Sequence, residues 1–178
     1  MKFADNKNLY IRRALFVLLI AVTAIFQHTS GAVPAIFSAK AFLLIPLTVC
    51  IAMNEKSMGG LSFGLLAGVL WDFATVRGDG FYSVVLALAG FVAGVAVSYL
   101  VRNNVFAAVL LSLGACTFVT TTYWLVFIFM RGYVGAFSLL FSFYLPSGLY
   151  SLAFTVVYYY LVKAIVKLTT DKNQQKKY

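Results

Sequence analysis

Asp72 is the residue of this chain whose type and position are best suited to carry chemistry. It ends an apolar stretch in which three glycines recur every four residues, at Gly60, Gly64 and Gly68. An ionised carboxylate costs about 2.5–3.5 kcal/mol at the centre of a membrane, so it must face the protein interior and find donors. We expect Asp72 near the outer membrane surface, where it holds the following turn or contacts a partner, an ion or a substrate.

The turn after Asp72 offers candidate donors for this carboxylate. Arg77 is the nearest cation in sequence, and Gly78 and Gly80 belong to a glycine-rich loop whose backbone amides are available. The sequence therefore predicts an outer polar corner, which we define as Asp72, Arg77, Gly78 and Gly80.

The rest of the chain contains little that could catalyse a reaction. It has five Asp and Glu residues and a single His, which leaves few groups for acid–base chemistry. Its two cysteines, Cys50 and Cys116, lie in apolar segments and lack the His partners of a metal site. We predict no catalytic residue, no metal site and no cofactor, and a protein that is not an enzyme.

The elements that position these residues are membrane helices. With 62% apolar residues and a mean hydropathy of +0.93, the chain lies far from the composition of soluble domains. A span needs about 20 apolar residues, and the pattern predicts an all-α bundle of about six transmembrane helices. The predicted spans cover about residues 13–27, 33–53, 58–74, 81–101, 105–130 and 134–162. They form a transmembrane domain of residues 13–162 between a basic N-terminus (1–12) and a basic C-terminal tail (163–178).

The net charge of +9 is concentrated at the ends of the chain. Arg12 and Arg13 precede the first span, and Lys163 and Lys167 follow the last. Beside membrane spans, such residues set orientation and attract anionic lipid, so nucleic acid is not an expected partner. With both termini in the cytoplasm, the inner segments hold eleven of the 14 Lys and Arg residues. This bias predicts a multi-pass membrane protein with both termini in the cytoplasm.

Two ladders of small residues predict where helices approach closely. In lipid, helices associate by close packing rather than by the hydrophobic effect, and small residues permit that approach. The ladders are interpreted either as the contact between the third and fourth spans or as a docking face for a partner's helix. Their members are Gly60, Gly64 and Gly68, followed by Gly90, Gly94 and Ser98.

The region from Gly60 to Asn104 resembles the rod shape-determining MreD family of bacteria. It carries the order G-x-x-W-D-x(5)-G-x-G through Asp72 to Gly80, followed by the second glycine helix and Arg102-Asn103-Asn104. The turn departs from the family pattern, because charged residues stand where an uncharged, serine-containing turn is common. Outside this region only length and hydropathy agree.

The resemblance implies a non-enzymatic scaffold subunit of the cell-elongation machinery for peptidoglycan synthesis, located in the bacterial cytoplasmic membrane. The implied partners are MreC, RodA with its class B penicillin-binding protein, and the MreB filaments, besides membrane lipid. The family is also similar in fold to the substrate-binding subunits of energy-coupling factor transporters. The alternative function is therefore a vitamin-binding subunit of such a transporter, with a pocket near the outer surface.

Overall fold

The chain folds into a bundle of helices. The computed structural model describes residues 2–29, 41–75, 79–101, 103–130 and 145–170. These residues form α1 (Lys2–His28), α2 (Leu44–Ala74), α3 (Phe81–Tyr99), α4 (Val105–Trp124, continued by a π-helical turn, Leu125–Phe129) and α5 (Leu145–Thr169). Within these ranges, five helices are long and apolar enough to cross a membrane. The architecture is an all-α membrane bundle, whereas the count of six spans and the likeness to transporter subunits stay predictions.

Helix α2 reverses direction in its middle. A straight helix of 31 residues would be about 46 Å long, yet the rings of Phe42 and Trp71, near its two ends, lie 5.7 Å apart. The reversal is at Lys56, whose φ of 64° and ψ of −173° are not helical. We call the two antiparallel arms α2a (residues 44–55) and α2b (residues 57–74). The turn falls between the predicted end of the second span and the predicted start of the third.

Arm α2a forms the centre of the bundle. Every residue from Leu44 to Met53 is buried, polar Thr48 included. A helix that is apolar on all sides is buried in a protein or exposed to lipid, and hydropathy alone does not separate these cases. Here α2b, α3, α4, α5 and α1 surround it. At about 18 Å by helical rise, the arm is shorter than the roughly 30 Å hydrocarbon core.

Two helices extend beyond their predicted bounds. Helix α1 begins at Lys2, so the predicted basic N-terminus continues the first span as helix. Helix α5 runs to Thr169 rather than ending near residue 162, so the first residues of the predicted tail are helical too. The predicted span segments 33–40 and 134–144 lie outside the described residues.

Candidate functional site

Two glycines bring the backbones of α2b and α3 into direct contact. A Cβ placed on Gly60 would overlap the carbonyl oxygen of Gly90, and a Cβ on Gly90 would overlap that of Gly60. Each glycine also lies against α2a: the added Cβ of Gly60 would be 2.8 Å from the Ala52 Cβ, and that of Gly90 would be 3.2 Å from Thr48 Cγ2. Helices α2b and α3 therefore meet where only hydrogen atoms fit between their backbones, and side chains of α2a pack directly against both glycines.

The remaining ladder glycines continue this contact in both directions. Gly64 faces the backbone of Leu86 and Ala87, and Gly68 faces that of Tyr82 and Ser83. At the other end, a Cβ on Gly94 would lie 2.6 Å from Ser57 Cα, in the turn of α2.

Ser98, the last member of the second ladder, differs from the glycines. It is exposed, and its hydroxyl donates to the Gly94 carbonyl of its own helix at 2.8 Å.

Asp72 joins the two helices at the opposite end from the α2 turn. Its side chain is 7% exposed and accepts hydrogen bonds from the backbone N–H groups of Tyr82 (3.2 Å) and Ser83 (2.9 Å). The Ser83 hydroxyl donates to the same carboxylate. These amides belong to the first turn of α3, where N–H groups have no partner within the helix and the helix dipole favours negative charge. Asp72 thus caps α3 from the preceding helix.

Of the predicted outer polar corner, the structure brings together Asp72 and the start of α3. Gly80 immediately precedes α3 with a φ of 68°, a left-handed conformation that glycine adopts without steric cost. Arg77 and Gly78 lie outside the described residues. Among the described residues, the donors to Asp72 are Tyr82 and Ser83, and the predicted contacts of Arg77 and Gly78 stay predictions.

A stack of aromatic rings lies beside Asp72. The Trp71 ring stacks on Tyr82 at 4.4 Å and 8°, and Tyr82 stacks on Tyr123 of α4 at 5.7 Å. Trp71 is only 4% exposed, although tryptophans of membrane proteins are often found at the lipid interface. It packs inside the bundle against Phe42, at the start of α2a.

Two clefts open at this aromatic stack. The smaller, about 10 Å³, is lined by Phe42, Trp71 and Tyr123 among others, and has room for about one water molecule. The larger, about 90 Å³, adjoins Asp72 and Asp79. Both are well below the roughly 300–1,000 Å³ of pockets that enclose small-molecule ligands.

The opposite end of the bundle contains an ion pair that was not predicted from the sequence. Glu55, the last residue of α2a, has a side chain only 4% exposed, and its Oε1 lies 2.7 Å from the Nε of Arg12 on α1. Arg13 Nε lies 3.7 Å from the other carboxylate oxygen. The two arginines, assigned from sequence to lipid and orientation, therefore also tie α1 to the turn of α2. An acid next to Lys56 between two apolar runs was the available signal for this contact.

Polar groups from other elements surround the same turn. The side-chain amide of Asn103 donates to the Met53 carbonyl at 3.4 Å and to the Asn54 side chain at 3.3 Å. The Tyr159 hydroxyl of α5 donates to the Asn103 carbonyl at 3.3 Å. Among the described residues, α1, α3 and the α3–α4 connection contact this turn directly, and α5 contacts it through Asn103.

The two C-terminal lysines of the prediction lie on α5 at the same end. Lys163 and Lys167 are both exposed, and the Lys163 ammonium lies 5.4 Å from the centre of the Tyr159 ring. Their predicted contact with lipid stays a prediction.

Lys56 has a backbone conformation that glycine would adopt with less strain, so its replacement is expected to change the stability of the protein. Lys56→Gly is expected to raise the free energy of unfolding by about 1 kcal/mol, since it removes the Cβ that clashes at positive φ. Lys56→Ala removes the same charge but keeps the Cβ, so we expect no such gain. A dye that reacts with the buried thiols of Cys50 and Cys116 on unfolding reports the thermal midpoint in detergent. Equal gains in both variants would contradict the strain explanation.

Among the described residues, no group of three or more His, Cys, Asp or Glu side chains is arranged to hold a metal ion. In the described part of the chain, the acidic side chains of Glu55 and Asp72 are buried in the bundle and contact partners from the chain itself. The contacts of these two carboxylates join helices at both ends of the bundle.

No family model, curated protein or solved structure matches the chain.

Proposed function

We propose that this chain is a non-enzymatic subunit of the bacterial cell-elongation complex, and that it acts by binding other membrane proteins. Its partners would be MreC, RodA with its class B penicillin-binding protein, and MreB. It would reside in the cytoplasmic membrane with both termini inside. The assignment to this complex depends on the resemblance of residues 60–104 to the MreD family.

The proposal is supported by the contacts that the residues of that region make within the bundle. The ladder glycines face backbone of the neighbouring helix, and both carboxylate oxygens of Asp72 accept hydrogen bonds from α3. A carboxylate engaged in this way positions helices rather than a substrate. The region thus has the character of a rigid framework, which suits a protein that presents surfaces to partners.

The second candidate function is a vitamin-binding transporter subunit. In its favour, aromatic rings and the carboxylates of Asp72 and Asp79 line one cleft, at the end predicted to face outward. Against it, about 90 Å³ of space is far less than a vitamin needs. We therefore place it second.

Depletion of the protein in its host separates the two functions. We expect rod-shaped cells to become rounded or swollen, measured as cell width by microscopy, and to recover when the chain is resupplied but not when vitamins are added. Gentle solubilisation of a tagged chain should retain the elongation proteins named above. Unchanged shape together with lost uptake of one vitamin would overturn the proposal in favour of the transporter function.

A further inference from the structure

At the turn of α2, Arg12 and Arg13 lie beside the carboxylate of Glu55, and Lys56 follows Glu55 in the chain. Arg12 makes the close contact to Glu55, at 2.7 Å, and is largely covered. Arg13 lies farther from Glu55, at 3.7 Å, with its side chain 52% exposed. Lys56 follows Glu55 directly and is exposed. Because Glu55 neutralises only one of the three, Arg13 and Lys56 leave a positive surplus at the rim of the bundle.

The backbone conformation of Lys56 suggests that its side chain has a role other than forming the turn. Its φ of 64° and ψ of −173° lie in a region occupied almost only by glycine. The tight turn itself would form more easily with glycine, so the geometry gives no local reason for a lysine. Such outliers persist where the surrounding structure holds them, and they concentrate at functional sites.

Exposed apolar side chains adjoin these cations. Tyr10 and Val17 share the Arg13 side of α1 by helical spacing and are 68% and 40% exposed. Met58, two residues after Lys56, is 72% exposed. A ligand that fits this surface carries an anion at one end and hydrocarbon next to it. A soluble phosphate would cover only the cations.

We propose that Arg13 and Lys56 bind the phosphate of an anionic phospholipid, with its acyl chains along α1 and the start of α2b. Arginine offers forked N–H donors to phosphate oxygens, and lysine adds a point charge. Arg12 is not part of this site, because it is committed to Glu55. The inference goes beyond the proposed function, since a lipid site is independent of membership in any complex.

The test is a lipid titration of the full-length protein in neutral detergent micelles. Phosphatidylglycerol, phosphatidylcholine or inorganic phosphate is added, and the unfolding midpoint is followed by dye labelling of the buried Cys50 and Cys116. We expect phosphatidylglycerol alone to raise the midpoint. Arg13→Gln and Lys56→Gln should each raise its half-saturating concentration about fivefold, as expected for one basic residue near a lipid surface.

Two further variants make the result specific. Lys56→Arg keeps a positive charge and the Cβ at the turn, so its response to phosphatidylglycerol should match that of the unmodified protein. Lys56→Gly should unfold at a higher temperature without lipid and yet gain less from phosphatidylglycerol. That combination separates the loss of strain from the loss of the ammonium group.

Four results would contradict the proposed phospholipid site. They are equal stabilisation by phosphatidylcholine, an unchanged response of both glutamine variants, an equal loss in Lys56→Arg and Lys56→Gln, or equal stabilisation by inorganic phosphate. The third would attribute the effect to a disturbed turn instead of a lost charge, and the fourth would make the ligand a soluble anion.

Discussion

Gly60→Ala is expected to destabilise the protein by about 3 kcal/mol, although it adds a single methyl group. The added Cβ would overlap the Gly90 carbonyl oxygen and lie 2.8 Å from the Cβ of Ala52. Both neighbours belong to packed helices, so α3 and α2a must move for the methyl group to fit. Gly90→Ala meets the reciprocal contact and should cost a similar amount. The thermal midpoint in detergent, followed by dye labelling of the buried thiols, measures the loss.

Gly114→Ala is the matched control for this prediction. Gly114 lies on the exposed face of α4, and a Cβ there has nothing within 4 Å. Because alanine favours helix over glycine by up to about 1 kcal/mol, this variant should be neutral or more stable. The same chemical change is therefore expected to have opposite signs at the two positions. Equal effects at Gly60 and Gly114 would refute the backbone contact between α2b and α3.

Asp72→Ala is the second substitution with a large expected effect, a loss of about 3 kcal/mol. It would leave two backbone N–H groups and the Ser83 hydroxyl without their acceptor, and each unsatisfied buried donor costs about 1–3 kcal/mol. Asp72→Asn should lose an intermediate amount of stability, because its amide NH₂ group would face one of these donors and could not accept its hydrogen bond. Ser83→Ala removes a single hydrogen bond and should cost the least. Thermal midpoints of the three variants give the order.

Asp79→Ala is the control for the charge of Asp72. Asp79 is an exposed acid in the same connection between α2 and α3, and surface substitutions usually change stability by less than about 0.5 kcal/mol. If Asp79→Ala destabilised the protein as much as Asp72→Ala, the effect would come from the charge of the loop and the capping role would be wrong.

The local features of this chain could be read from its sequence. Membrane helices follow from long apolar runs, because backbone groups in hydrocarbon must satisfy each other within a helix. The four-residue spacing of Gly60, Gly64 and Gly68 places them on one side of a helix, since 3.6 residues make one turn. Polar residues around Lys56 indicated the turn between the second and third spans. In each case the signal is contained in a few neighbouring residues.

Other features were decided only by the tertiary structure, because they depend on residues far apart in the chain. Hydropathy is the same for a helix surrounded by protein and one surrounded by lipid, so it did not reveal that α2a is the centre of the bundle or that Trp71 is buried. The amides that bind the Asp72 carboxylate belong to the first turn of α3, 10 and 11 residues farther along the chain. The pairing of Glu55 with Arg12 depends on α1 packing beside the end of α2a. Spacing in sequence determined which residues share a helix face, and only helix packing decided what each face meets.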